Sequence, residues 1–344
     1  MPKKERVRIS TIICAFLTVA VFYIIAVGAA LYYFGMSNPI LERTARIIPY
    51  PAAIIGNSSF VSTRELAKKL DFAKAYYANE DFSQTGKRID FSTLEGKKRF
   101  QVKEKQLLNK MIEDKIVEIL AKKAGIKITP EMAAQDVERK IDQYGDTKKV
   151  QEKLDKYGWT MGDFENNIVI PAMYQDRLTA NFMQTDDTRP KALEKIKNAQ
   201  TDLNNKKDFS EVAKAYSEGE SAGSGGYVGW FSKNEMLSEI SSAAFSMKKG
   251  DVSDILESSL GYHIIKIENR RTMNGEDQVE IRQIFVRTKS FADWLLEQEK
   301  NIKVYIPFKG LYWDKENGEV AFSNSELEKL EETMLQEDYG DASF

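Results

Sequence analysis

The sequence predicts an α+β protein carrying a single N-terminal transmembrane helix, and three observations predict it. Ile9 to Leu41 contains no charged residue. Residues 96–183 repeat their apolar side chains at helical spacing. From Thr188 onward, short helical patterns alternate with strand patterns and glycine turns. Composition narrows the chemistry. Charged residues are 30 % of the 344, with a net charge of −2, which leaves no electrostatic footprint for nucleic acid. One cysteine, Cys14, and one histidine, His263, exclude a zinc cluster, a disulfide framework and a Cys/His nucleophilic pair. No metal and no other cofactor is expected.

The dense apolar part of the first segment, Ile12 to Phe34, is long enough for a ~30 Å hydrocarbon core. Lys3, Lys4, Arg6 and Arg8 precede it, against Glu5 alone, so the positive-inside rule puts residues 1–9 in the cytoplasm and the bulk outside. Residues 10–34 form the anchor and 35–51 read as a spacer. The run exceeds a signal-peptide core and no A-x-A site follows it, so retention is expected. Residues 52–187 then read as a helical domain entered through a small hairpin. Ser62 with Glu65 signals a capped helix, and Thr129-Pro130 starts another with proline at its permitted first position. Thr160 with Asp163 caps a third, which Pro171 should kink.

Residues 188–322 read as one α+β domain. Helices are expected at Pro190–Asn198, Phe209–Tyr216 and Glu235–Phe245, and strands at Tyr227–Phe231, Val252–Glu257, Tyr262–Glu268 and Val279–Val286. Asn274-Gly275 makes a turn before the last of these. After a helix at Phe291–Lys300, Val304–Trp313 and Glu319–Phe322 suggest a hairpin closed at Asn317-Gly318. Residues 323–344 form an acidic helix or tail.

Within this domain an ordered set of motifs stands out. It runs Asp208-Phe209-Ser210-Glu211-Val212-Ala213, Tyr216-Ser217, then Gly225-Gly226-Tyr227-Val228-Gly229-Trp230-Phe231. Ala244-Phe245, Lys249-Gly250-Asp251-Val252-Ser253 and Gly261-Tyr262-His263-Ile264-Ile265-Lys266 follow. The stretch Asp208–Arg271 resembles the parvulin (PpiC) family of peptidyl-prolyl isomerases. The arrangement of anchor, helical domain and this domain is similar to the SurA/PrsA/PpiD group of extracytoplasmic foldases. The resemblance implies a folding factor for exported proteins, an isomerase or chaperone whose partners are unfolded, proline-containing chains. The alternative it leaves is an inactive peptide-binding chaperone or an assembly factor in a membrane complex.

The resemblance also implies a site. Parvulins place an apolar proline pocket beside a polar cluster of two histidines and a Cys or Asp. By motif position, Val228, Met236 and Ile240 would line the pocket, Ser258 would supply the hydroxyl, and His263 matches the second histidine. Gln283 stands for the first histidine and Gly219 for the Cys or Asp, so the cluster departs from the family. The order departs too. The usual first strand, of the type Ala-x-His-Ile-Leu-Val, is missing before the first helix, and Val279–Val286 is its best candidate. This implies a circularly permuted parvulin, or a truncated copy followed by a degenerate second one.

Overall fold

The computed structural model describes residues 9–34, 39–79, 93–144, 147–273 and 275–341. The basic tail and Asn274 of the predicted turn lie outside the described residues. The chain divides into two compact units, residues 1–178 with 296–344, and residues 179–295.

The first unit opens with α1 (Ile9–Phe34), in which Phe16–Phe34 is long and apolar enough to cross a membrane. Then come α2 (Pro39–Ile47), β1 (Pro51–Ile55), β2 (Ser59–Ser62) and α3 (Thr63–Asn79). Residues expected to be a spacer are therefore partly helical. Leu41 and Ala45 of α2 are buried, and Arg46 pairs with Asp71 of α3. The Ser62 hydroxyl accepts the Glu65 amide proton at 3.2 Å, while Glu65 accepts the Ser62 amide proton at 3.0 Å. This reciprocal bonding is why α3 starts there.

The long α4 (Leu94–Lys123) is followed by α5 (Pro130–Tyr144), α6 (Thr147–Lys156) and the short α7 (Met161–Phe164), started by a Thr160/Asp163 capping box. A π-helical stretch, Glu165–Val169, leads into α8 (Ile170–Thr185). The kink expected at Pro171 thus takes the form of a widened turn just before it, where the ring and the missing N–H disturb the helical ladder. Ala133, Val137, Ile141, Val169 and Met173 form one buried cluster where α5 meets the π-helical stretch and the start of α8.

The second unit contains α9 (Thr188–Asn204), α10 (Phe209–Tyr216), β3 (Tyr227–Ser232), α11 (Ser238–Ser246), β4 (Leu256–Ser258), β5 (Gly261–Met273) and β6 (Glu276–Arg287). They build one antiparallel sheet in the order β3-β6-β5-β4. The strand expected at Val252–Glu257 is shorter, with a single bridge from Val252 to Lys266 before β4. There the Ser253 hydroxyl takes the Ile265 amide proton at 2.9 Å, replacing a ladder bond.

Helix α12 (Phe291–Glu299) precedes β7 (Val304–Tyr305), β8 (Leu311–Asp314), β9 (Glu319–Phe322) and α13 (Ser325–Asp341). The predicted hairpin is made by β8 and β9 alone. β7 instead adds to β1, pairing Ile54 with Tyr305 and Ile55 with Val304. The sheet domain therefore ends near residue 295 and not 322. The following residues return to the first unit because they complete its sheet and its α4 surface. The Val320 amide donates to Asn109 Oδ1 at 2.7 Å, and Lys105 pairs with Glu331 at 2.9 Å with both side chains largely buried.

Candidate functional site

The site is built on the β5–β6 hairpin. Alternation along a strand sends successive side chains to opposite faces. On one face Ile264, Ile284 and Val286 pack with Ala192 and Ile196 of α9 and Phe209, Val212 and Ala213 of α10. On the other, Ile265, Ile267, Val279 and Ile281 pack with Ile240 and Ala244 of α11. His263 belongs to this second face, at its β4 end. Its cross-strand partner on β6 is Phe285, and the next pair on the same face is Ile265 with Gln283. Gln283 is thus the diagonal neighbour of His263, at roughly 7–8 Å for such positions.

Ser258 is fixed by the tight β4–β5 turn, in which its hydroxyl accepts the Leu260 amide proton at 3.1 Å. The same oxygen lies 2.7 Å from His263 Nε2. Both residues are buried, at 5 % and 3 % exposure, so this hydrogen bond is shielded from water. Nδ1 of His263 has no hydrogen-bond partner among the described residues. Phe285 stacks on the imidazole at a centroid distance of 4.7 Å and 24° between planes. Burial pushes the His263 pKa down to about 4, against a smaller upward pull from Glu239. The ring is neutral at pH 7 and donates or accepts only as a neutral imidazole.

The other sequence-predicted residues fall around this pair. Met236 and Ile240 join the apolar cluster on the His263 face, beside Phe231 and Leu256. Val228 is 38 % exposed at the register shift between Tyr227 and Gly229, outside that cluster. Gly219 lies over Phe285, where an added Cβ would be 3.7 Å from the Phe285 Cβ. That is ordinary contact, and its φ of −77° suits any residue, so a side chain has room there. The Gly225-Gly226 motif explains itself by close approach. A Cβ on Gly226 would sit 2.5 Å from the Gln283 carbonyl oxygen, and its φ is +79°. The Gln283 amide donates to the Gly226 carbonyl at 2.7 Å, which sets where β3 meets β6. Phe285 and Glu239 were not legible from the motifs. Period-two counting from Gln283 would have put Phe285 on the site face, whereas nothing local marks Glu239.

The rotamase family model, the PPIC-type PPIASE domain, matches residues 175–269. That stretch is a PPIC-type rotamase domain, and the match ends before β6. The chain is 32 % identical over 145 residues to the foldase protein PrsA of Geobacillus sp. strain WCH70, covering 40 % of this chain and 51 % of that one. It is 36 % identical over 96 residues to the chaperone SurA of Burkholderia orbicola strain AU 1054, covering 26 % of this chain and 21 % of that one. The chain thus spans about half of the first of these relatives and about a fifth of the second. The crystal structure of PrsA from Bacillus subtilis, at 18 % identity, covers 66 % of this chain and 80 % of its own with a TM-score of 0.20, too loose a superposition to define the fold.

Proposed function

We propose that this protein is an extracytoplasmic folding factor whose rotamase domain binds X-Pro segments of unfolded exported chains and isomerises them. The observation that carries it is the buried Ser258–His263 hydrogen bond beside an apolar cluster containing Met236 and Ile240, inside the segment that matches the rotamase model. The reaction needs no nucleophile. Its barrier of roughly 18–20 kcal/mol is the partial double bond of the amide. A site lowers it by desolvating the bond and binding its twisted form more tightly than either planar form. In this reading Met236, Ile240 and Val228 hold the proline ring. His263, oriented by Ser258, offers a neutral polar edge, and Gln283 takes the role of a second polar group. β6 serves as the displaced first strand of a permuted parvulin, supported by its place between β3 and β5. Helix α1 anchors the chain with its N-terminus in the cytoplasm, as the basic residues before it favour.

A second reading is favoured by Gln283, Gly219 and the Phe285 ring over His263. Here the domain is a peptide clamp without turnover. One experiment separates the two: refolding of a proline-limited substrate with full-length protein in detergent, beside Met236→Ala. Acceleration that the variant loses supports the isomerase. Suppressed aggregation without acceleration supports the clamp, and neither effect rejects both.

A further inference from the structure

We propose that a cleft between α3, α4 and the π-helical stretch binds client chains at an aromatic side chain that has a carboxylate beside it, with Lys69 as the counter-ion. This deepens the folding-factor reading, on which it rests, by naming a class of client for the first unit.

The cleft has three walls. On α3, Lys69, Phe72, Ala73, Tyr76 and Tyr77 recur at spacings of three and four, so they share one face. On α4, Lys103, Leu107, Lys110 and Asp114 do the same. The third wall is Ile168 of the π-helical stretch, with Pro171 and Ala172 at the start of α8. Ile168 is 47 % exposed, so this apolar side chain serves the cleft and not a core. Trp159 closes the end beside Phe72, with ring centroids 4.2 Å apart. The walls enclose about 480 Å³, within the range of sites that take aromatic groups.

Charge then decides what enters. Asp114, the acid in the lining, is paired with Lys110 at 3.0 Å. The acids nearby are committed too. Asp163 pairs with Lys68, and Glu65 accepts the Ser62 amide and hydroxyl protons. Lys69 and Lys103 line the cleft half-buried, and neither makes a hydrogen bond or ion pair among the described residues. Burial lowers the Lys69 pKa below the ordinary lysine value, against weaker upward pulls from Asp114 and Glu65. An ammonium held out of water without a counter-ion is costly, and an entering carboxylate offsets that cost. Aromatic walls with two uncommitted ammoniums therefore favour an aromatic residue next to Asp or Glu and disfavour one next to Lys or Arg. The exposed amide of Gln175, also in the lining, suits a backbone group of an extended chain.

The test uses full-length protein in phosphatidylcholine nanodiscs and labelled, unstructured, proline-free peptides. One carries phenylalanine next to glutamate, a second phenylalanine next to glutamine, a third phenylalanine next to lysine. Fluorescence anisotropy gives each Kd. The glutamate peptide should bind about tenfold or more tighter than the lysine peptide. Lys69→Met keeps the aliphatic stem and removes the charge, so it should abolish that preference while the glutamine peptide still binds. Equal affinities for the glutamate and lysine peptides, or a preference that survives Lys69→Met, overturns the proposal. Where Lys69→Met loses every peptide, a benzophenone in place of the phenylalanine decides with the wild-type protein. Cross-links to α3 and α8 then support the site, and cross-links elsewhere overturn it. Proline-containing peptides that bind when proline-free ones do not overturn this site and leave the folding-factor reading standing. Failure of both kinds to bind removes that reading and the site with it.

Discussion

His263 is held neutral in a place where a charged ring would be stranded, and this ties stability to pH. Its folded pKa of about 4 lies below the ordinary 6.5. The unfolded chain therefore binds the proton more readily, and acid favours unfolding. The contribution is fully present above pH 6.5, falls away between 6.5 and 4, and is on the order of 3 kcal/mol as an upper bound. Denaturant unfolding at pH 7 and pH 4.5 should show this loss, and His263→Asn should flatten it. A pH dependence that survives the substitution would rule out His263 as its source. The same residues make a second prediction. Gly219 has room for a side chain and Gln283 stands on the His263 face. On the proposed isomerase reading, adding two polar groups with Gly219→Asp and Gln283→His together should raise kcat/KM by about tenfold or more. An unchanged value would mean that Phe285, stacked on His263, decides access. Ser258 and His263 were each legible by motif position, but their hydrogen bond was not, because it depends on the tight β4–β5 turn that folds one onto the other. The stacking was not legible either, because it depends on cross-strand register.

Among the elements, α10 was legible to its observed ends, β6 to within three residues, and the Val252 strand only in its last part. Val279 to Val286 alternates and ends in Ile-Phe-Val, which suits a central strand covered on both faces. Beside Val252 the Ser253 amide still donates to the Ile265 carbonyl, but the Ile265 amide turns to the Ser253 hydroxyl, a side-chain bond that no propensity reveals. The join of β3 to β6 rests on Gly226, whose φ of +79° and whose approach to the Gln283 carbonyl leave no space for a side chain. Gly226→Ala should destabilise the rotamase unit by about 2 kcal/mol or more, since both strain and a backbone clash oppose it. Gly223→Ala, with nothing within 4 Å of its Cβ position, is the matched control and should cost far less. Equal losses from the two, read from denaturant midpoints, would show that the β3–β6 junction can adjust.

On the scale of the whole molecule, the return of residues 296–344 to the first unit was hidden from the sequence. It depends on pairings such as Ile54 with Tyr305, some 250 positions apart, which leave no local period. The division carries a prediction. Residues 179–295 have their own two-faced core and should fold alone, whereas truncation after residue 295 should unfold the first unit by exposing β1 and α4. Circular dichroism of the excised domain and proteolysis of the truncated chain would show it. The two units should also answer pH in opposite directions. Glu299 ends α12 at 5 % exposure, and its carboxylate oxygen Oε2 would be 2.4 Å from a Cβ on Gly318. Burial first, and the charge of Glu113 second, push its pKa up to about 7 from 4.5. The folded state therefore holds the proton longer than the unfolded chain. The stabilisation is complete below pH 4.5, declines as pH rises through 7, and amounts to on the order of 3 kcal/mol at most. Glu299→Gln keeps the neutral shape, so it should leave stability near pH 4 unchanged and raise it at pH 8. The readout is the unfolding of the first unit, followed by its Trp159 and Trp313 fluorescence in a Trp230→Phe, Trp294→Phe background. Equal stability of wild type and variant at pH 8 would mean that Glu299 ionises there without cost.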